Sequence, residues 1–337
     1  MGVIVADRRT ILAFVAASVL FGGTFVAAKA GLSYFPPLLF VALRFDVAAV
    51  ALAAFAVATT DREGLIPRTR GDAVGIVATG VLAIGLANAL LFVGQQYATS
   101  AVGAIVFSLN PILTPVFAAV LLADERLSAR GAVGMVLGLV GVALVVDPSL
   151  AMLVDGGVGK LFLFAGAVSG ALGSVLIRRA ESTLSSTVRT AWGLPLGAAL
   201  SHALSLGAGE SPAAIVWTPE AVLALAYVGL FAGAVAYIAY FGLLDRAGAI
   251  RANLIFYVVP AVSTLGGWAL LGESIAPLAI LGFLTIFAGF AVLGSEEVDA
   301  AALRRRLATR LPDAVAERAD ADDRLGLGEE PRGFESD

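Results

Sequence analysis

The segment FVGQQYATSAVGAIVFSLNP, residues 92–111, is matched 149 residues later by FGLLDRAGAIRANLIFYVVP, residues 241–260. The two align without gaps, and both begin with phenylalanine and end with proline. Each is followed by an apolar and acidic motif, LLADE at 121–125 and LLGE at 270–273. Chance similarity between apolar segments is the alternative, but the register holds over several helices. The chain is therefore predicted to contain two copies of one unit.

The composition is that of an integral membrane protein. The chain has 337 residues, of which 59% are hydrophobic and 14% are charged, and its mean hydropathy is +0.93. Ordinary globular proteins have roughly 45–50% apolar and about 25% charged residues. A soluble protein must cover itself with polar groups, and this chain has too few of them. The formal net charge of −4 indicates neither a nucleic acid nor any other highly charged partner.

Apolar runs of about 20 residues, enough to cross about 30 Å of hydrocarbon, recur along the chain. We number ten of them as spans 1 to 10, and predict that each is a transmembrane helix in contact with the lipid bilayer. Their connections are short, so consecutive spans are expected to be antiparallel neighbours. In order, the spans are residues 11–30, 37–59, 73–96, 100–122, 131–147, 159–177, 186–206, 220–242, 249–271 and 275–294.

Lysine and arginine predict the orientation, because loops that carry them stay in the cytoplasm. Arginine recurs before span 1, in the loops after spans 2, 4, 6 and 8, and in the tail, whereas the other loops contain essentially Lys160. We call the first side the arginine-rich face. Both termini are thus predicted to be cytoplasmic, in a multi-pass protein of the cell membrane. A cleaved signal peptide is the alternative for residues 11–30, but this run exceeds the usual length of about 7–15 residues.

The repeat predicts the domain organisation. Residues 1–10 are a cytoplasmic N-terminus, 11–147 the first five-span unit, 148–158 a linker on the other side, 159–294 the second unit, and 295–337 a charged cytoplasmic tail. Because five is an odd number, the second unit must enter the membrane upside down. We therefore expect an all-α membrane fold of ten helices in two inverted repeats, an architecture that recurs in secondary transporters.

Short motifs recur in order along both halves. They are FGGTF at 21–25, RF at 44–45, NP at 110–111 and, in the second half, LLGE at 270–273. In these motifs the sequence resembles the drug/metabolite transporter superfamily, and within it the ten-span proteins with two EamA-type domains. One departure is Phe21, which stands where many relatives have tryptophan.

The resemblance implies a secondary transporter that works by alternating access. Its cargo would be a small organic molecule, an amino acid or a related amphiphile, and the direction would be export. A lipid-translocating or structural membrane protein is the alternative.

Two prolines interrupt the predicted helices at membrane depth. Pro111 and Pro260 lie about ten residues inside spans 4 and 9, roughly 15 Å deep at 1.5 Å per residue. Proline lacks the helical donor, so the carbonyls of Phe107 and Phe256, four residues back, lose their partners. Irregular backbone in a bilayer is tolerated only where protein or water satisfies it. Simple packing kinks are the alternative, and we predict that spans 4 and 9 line a central cavity.

Polar side chains at membrane depth are the candidate substrate-binding residues, because each of them needs a partner there. Hydrogen bonding between helices is the alternative role. The candidates are Asn88, Asn110, Tyr237, Tyr240, Asn253 and Tyr257.

Three charged residues are further candidates. Arg44, in span 2, is expected either to hold a substrate carboxylate or to brace another helix. Asp46 is the only carboxylate well inside a span, and hence the one candidate for coupling to a proton. Lys29 and its repeat equivalent Arg179 lie near helix ends, which suits gates or interface anchors.

Neither an enzyme nor a metal or cofactor protein is predicted. The chain has no cysteine and one histidine, and its carboxylates lie singly at helix ends. No nucleophile and base are therefore paired, and no set of metal ligands is apparent. Glycines 131, 134, 138 and 141 share one stripe of span 5, which predicts close helix packing and would support a homodimer.

Overall fold

The computed structural model describes residues 8–122, 129–146, 157–273 and part of 281–292. Every regular element in these ranges is helical, as the sequence predicts. Six of the helices there are long and apolar enough to cross a membrane by length and composition, and shorter apolar helices accompany them. The six are Arg9–Gly31, Pro37–Thr59, Arg70–Gln95, Ser100–Leu121, Val158–Arg179 and Pro219–Ala247.

Helices occupy the positions of spans 1 to 9. Spans 1, 2, 5, 6 and 7 are single helices, at Arg8–Gly31, Pro37–Thr59, Ala129–Val146, Gly157–Arg179 and Ser186–Gly207. Span 4 consists of Ser100–Phe107 and Asn110–Leu121, and span 9 of Ala249–Ala252 and Ile255–Leu271. Most of span 10, most of the linker and the whole tail lie outside the described residues. The predicted count of ten spans is therefore examined only for spans 1 to 9.

Spans 3 and 8 share an unusual backbone. Each contains a π-helical segment between two α-helical ones, at Ala78–Leu86 and at Tyr227–Val235. The two segments lie 149 residues apart, which is the period of the sequence repeat. Both spans also begin after a threonine, Thr69 or Thr218, whose side chain caps the first turn. The repeat in sequence is therefore accompanied by a repeat in local structure.

Glycines bring the two π-helical segments close to their neighbours. A Cβ added to Gly80 would overlap the backbone carbonyl of Gly193 in span 7. A Cβ added to Gly229 would lie 2.9 Å from Cγ1 of Val47 in span 2. Such contacts supply the packing between membrane helices, where lipid gives no hydrophobic driving force for association.

A buried carboxylate joins two loops at the arginine-rich face. Asp72, in the first turn of span 3, is fully buried and accepts hydrogen bonds from the loop between spans 6 and 7. Its Oδ1 lies 2.7 Å from the Ser182 hydroxyl, 2.8 Å from the Thr183 nitrogen and 3.2 Å from the Leu184 nitrogen. Asp72 therefore fixes the backbone that leads into span 7, as far as Leu184, which lies two residues before the first helical residue of that span.

Two glutamates hold helix N-termini at the opposite face. Glu210, in the loop after span 7, accepts hydrogen bonds from the backbone nitrogens of Leu38 and Leu39 at the start of span 2, at 3.1 and 2.7 Å. Glu273, just after span 9, accepts one from the hydroxyl of Ser100 at the start of span 4, at 2.6 Å. A negative charge is stabilised at a helix N-terminus, where backbone N–H groups lack partners.

The Gly80 contact can be tested by adding one methyl group. Gly80→Ala is expected to lower the free energy of unfolding by about 1–3 kcal/mol, because the backbone of span 7 must move away. Gly207→Ala is the matched control, since no atom lies within 4 Å of the added carbon. Thermal unfolding of the purified proteins in detergent measures both. If Gly80→Ala unfolds at the wild-type temperature, spans 3 and 7 do not pack in this way.

Candidate functional site

A cavity lies between helices from both halves of the chain. The empty space between these helices is about 560 Å³, a volume that includes the solvent-open part of the cavity. Spans 1 to 4, 6, 8 and 9 all contribute to its wall, which is mostly apolar and aromatic. The wall residues are Phe21, Thr24, Phe25, Arg44, Ala83, Ala87, Asn88, Leu91, Phe107, Asn110, Gly170, Tyr237, Tyr240 and Phe256.

The structure separates the candidate residues into two groups. The wall contains Asn88, Asn110, Tyr237, Tyr240, Arg44, Phe107 and Phe256. The other candidates lie outside it: Asn253, Tyr257, Pro111, Pro260, Asp46 and Lys29.

Span 4 is broken beside the cavity. Its first helix ends at Phe107 and its second begins at Asn110, so Pro111 lies in a first turn, where no helical donor is required. The freed carbonyl of Phe107 accepts a hydrogen bond from the Asn110 Nδ2 atom at 2.8 Å. The backbone that proline leaves unsatisfied is thus satisfied by its own neighbour in sequence.

Span 9 is broken at a different place from the one that Pro260 predicts. The helix Ile255–Leu271 continues through Pro260, and the break lies earlier, at Asn253 and Leu254. The carbonyl of Phe256 still loses its helical donor, but it accepts a hydrogen bond from the hydroxyl of Ser108 in span 4, at 2.7 Å. With that partner the helix has no need to end at the proline.

Asn253 connects helices instead of facing the cavity. It is fully buried, and its Oδ1 accepts a hydrogen bond from Tyr240 at 2.8 Å. Its Nδ2 contacts the hydroxyl oxygens of Thr114 at 3.0 Å and Ser174 at 2.9 Å. Spans 4, 6, 8 and 9 therefore meet at this one amide, which leaves it no polar atom for a ligand.

Tyr257 packs against span 5. Its hydroxyl donates to the carbonyl of Met135 at 3.0 Å, and a Cβ on Gly138 would lie 2.7 Å from its ring. Gly134, on the same stripe of span 5, lies close to span 10: a Cβ added to Gly289 would be 2.6 Å from the Gly134 carbonyl. These two glycines of span 5 therefore face helices of their own chain.

The charged candidates outside the wall have partners of their own. Asp46 Oδ2 lies 2.9 Å from Nε2 of His202, and both side chains are more than 40% exposed, on the outer side of spans 2 and 7. Lys29 donates to the carbonyls of Gln95 and Ala98, at 3.0 and 2.9 Å, which ties span 1 to the loop after span 3. The structure thus places the candidate for proton coupling away from the cavity.

An aromatic cluster was the part of the site that sequence reasoning missed. The ring of Phe21 lies 5.3 Å from that of Tyr237 and 5.7 Å from that of Tyr240, both edge to face, and stacks on Phe256 at 6.3 Å. Edge-to-face contacts of this kind stabilise aromatic pairs beyond their buried area. Phe21 and Phe25 stand in the FGGTF motif, so the motif was the available signal.

Comparison with known proteins identifies the family. The profile of the EamA-like transporter family matches residues 8–147 and again residues 157–295. The chain belongs to the EamA-like transporter family. The double match agrees with the repeat, and the family is one of transporters, not of enzymes.

Similar proteins extend this result. The uncharacterized transporter YyaM of Bacillus subtilis is 29% identical over 279 residues, covering 81% of this chain and 89% of that protein. The uncharacterized inner membrane transporter YedA of Escherichia coli K12 is 27% identical over 261 residues, covering 77% and 82%. A protein of known crystal structure superposes with a TM-score of 0.67 at 23% identity, over 84% of this chain and 97% of that one, which shows the fold alone. This EamA-like protein is therefore a multi-pass membrane transporter.

The bonds of Asn253 predict a structural role. Asn253→Ala is expected to lower the free energy of unfolding by about 1–3 kcal/mol or more, because buried hydroxyls of three other spans lose a partner. Tyr97→Phe, at a side chain that is 62% exposed, serves as the control and should change nothing. Thermal unfolding in detergent gives the comparison. Wild-type stability in Asn253→Ala would mean that the amide does not join these helices.

Proposed function

We propose that this EamA-like protein is a secondary transporter that exports a small organic metabolite, an amino acid or a related amphiphile, by alternating access. The observation that carries the proposal is the cavity, whose wall combines spans 1 to 4 with spans 6, 8 and 9. A site between two halves is where alternating access needs the substrate to bind. Apolar and aromatic walls with a few polar groups are typical of sites for small organic molecules.

Contacts between loops support an inverted arrangement of the two halves, and the arginine-rich loops favour a cytoplasmic location for both termini. The loop after span 1 meets the loop after span 7, where the Val216 nitrogen donates to the Tyr34 carbonyl at 2.9 Å. The start of span 3 meets the loop after span 6 through Asp72 and Thr183. Loops that follow odd-numbered spans thus meet one another, and so do loops that follow even-numbered spans. Ten spans that cross the membrane in alternation would give this pairing.

The carboxylate contacts indicate which helices stay fixed. Asp72 holds the entry to span 7 at the arginine-rich face, and Glu210 holds the start of span 2 at the opposite face. If these two contacts belonged to an alternating gate, one of them would be formed and the other broken in any one conformation. Both contacts are formed in the same conformation, so we assign spans 2, 3 and 7 to a fixed frame and the alternating movement to the broken spans 4 and 9.

Proton coupling through Asp46 and a homodimer stay predictions from the sequence. Lipid translocation is the competing function, and a transport assay separates it from solute transport. Purified protein in proteoliposomes should accumulate at least one small organic solute from a metabolite mixture, relative to empty liposomes. It should not accelerate the exchange of labelled phospholipids between leaflets.

One substitution should close the proposed path. A Cβ on Gly170 would already lie 3.4 Å from Oδ1 of Asn110 at the cavity wall, so the side chain of Gly170→Leu would fill the cavity. Accumulation of the solute is expected to fall at least about tenfold, because the site must admit the substrate to be transported. Val120→Leu, at a position that is 81% exposed, is the control. Equal transport by wild type and Gly170→Leu would refute a path through this cavity.

A further inference from the structure

The wall of the cavity carries a positive charge with no opposing carboxylate. Arg44 is fully buried, and among the described residues it forms no ion pair and the wall contains no acidic side chain. Its guanidinium lies 4.9 and 5.3 Å from the ring centroids of Phe45 and Phe92. The Nε–H of Arg44 is buried without a hydrogen-bond partner in the described part of the chain. A guanidinium stays charged in proteins, and a buried charge without a counter-ion is costly.

A chain of hydrogen bonds leads from Arg44 through Asn88 to Tyr237, and the donor in each bond is fixed. A guanidinium can only donate, so the amide oxygen of Asn88 must face Arg44, at 3.2 Å. The Asn88 Nδ2 atom is then left to donate to the carbonyl of Ile84 and to the hydroxyl of Tyr237, both at 2.8 Å. Tyr237 is thereby the acceptor in its bond with Asn88. Asn88 and Tyr237 are also equivalent positions of the repeat, 149 residues apart.

The proton of the Tyr237 hydroxyl is therefore available to a ligand. No described residue accepts it, and the ring is held in the wall by edge-to-face contact with Phe21 at 5.3 Å and by stacking on Phe241 at 5.6 Å. A chain of donors that begins at a cation polarises each member in turn, so this proton favours an anionic acceptor.

A second amide has an unused atom of the opposite kind. Asn110 must direct its Nδ2 at the Phe107 carbonyl, which can only accept. The Asn110 Oδ1 atom is then fixed as a free acceptor, and it is buried with no donor among the described residues. An unpaired buried acceptor costs free energy, which a ligand that donates to it would recover.

We infer that the cavity binds a small organic anion whose oxygens accept from Tyr237 and whose separate hydrogen-bond donor is met by Asn110. The aromatic wall contacts the apolar body between the two groups. Arg44 is a positioning residue in this inference: it orients Asn88 and places its charge behind Tyr237. The inference rests on the proposed function, for which it names the class of substrate.

Three probes with one apolar body test the inference. They are 3-(4-hydroxyphenyl)propanoate, which has both groups, its primary amide, which lacks the charge, and 3-phenylpropanoate, which lacks the donor. Binding to the full-length protein in lipid nanodiscs is measured by isothermal titration. The first probe is expected to bind at least about tenfold more tightly than either of the others. The amide loses the negative charge that strengthens the bond from Tyr237, and 3-phenylpropanoate leaves the Asn110 oxygen unpaired. Equal affinity for acid and amide, or binding of none of the three probes, would overturn the inference.

Two tyrosines provide a matched pair of variants. Tyr237→Phe removes the proposed donor and keeps the ring, so the ratio of acid to amide affinity should fall to about one. Tyr240→Phe also removes a hydroxyl from the wall, but that proton is already donated to Asn253 at 2.8 Å, so the ratio should persist. Loss of the ratio in both variants, or in neither, would contradict the assignment of the anionic group to Tyr237.

Arg44 variants separate positioning from bracing. Arg44→Lys keeps a cation that can donate to Asn88 and should retain most of the ratio, whereas Arg44→Gln should lose it. If Arg44 only braced the fold, a folded Arg44→Gln protein would keep the wild-type ratio, which would overturn the role given to Arg44. If Arg44→Gln does not fold, the Arg44→Lys ratio decides: a ratio near one would overturn that role.

Failure of this inference and failure of the proposed function are distinguishable, because binding is measured without transport. Acid selectivity that depends on Tyr237, in a protein that moves no solute, would refute transport and leave the binding site intact. Transport of an uncharged solute, by a protein that shows no acid selectivity, would refute the anion site and leave the transport function intact.

Discussion

A carbonyl that loses its helical donor inside a bilayer has to find another one in the protein, because hydrocarbon offers none. Pro111 and Pro260 create two such carbonyls, at Phe107 and Phe256. The first is satisfied by the Asn110 amide and the second by the Ser108 hydroxyl, both from the break in span 4. Spans 4 and 9 are consequently held together at mid-membrane through their irregular backbone, and the cavity lies beside them.

This constraint also determines the polarity of the cavity. Once Asn110 has committed its nitrogen to a carbonyl, only its oxygen remains. Once Arg44 has taken the oxygen of Asn88, only a nitrogen remains for Tyr237. The orientation of each amide is fixed by its partner. The Phe107 carbonyl can only accept a hydrogen bond, and the Arg44 guanidinium can only donate one. Asn110, which completes a broken helix, therefore leaves an acceptor at the cavity wall, and the pair Arg44 and Asn88 leaves the Tyr237 hydroxyl as a donor.

Much of the fold was predictable from the sequence, because helix positions follow from apolar runs and the repeat from register. Span 2 has the predicted bounds, and two of the candidate binding residues, Asn88 and Tyr237, lie in the cavity wall. The role of a single polar residue was harder to predict, because it depends on how each helix is rotated about its axis. Asn253 turns toward three other helices, and Asp46 turns outward to His202, which no local pattern indicates. Contacts between distant loops were missed because the sequence does not show which helices are neighbours in space.

The central claim is that two copies of one five-helix unit lie in opposite orientation around a polar cavity. Because the chain has no cysteine, a single introduced cysteine can be labelled without background. Glu63 and Ala213 are exposed and lie in corresponding loops, after spans 2 and 7. A membrane-impermeant maleimide added to intact cells should label Ala213→Cys, and should label Glu63→Cys only after the membrane is opened. Labelling of both positions from the same side would contradict the inverted repeat.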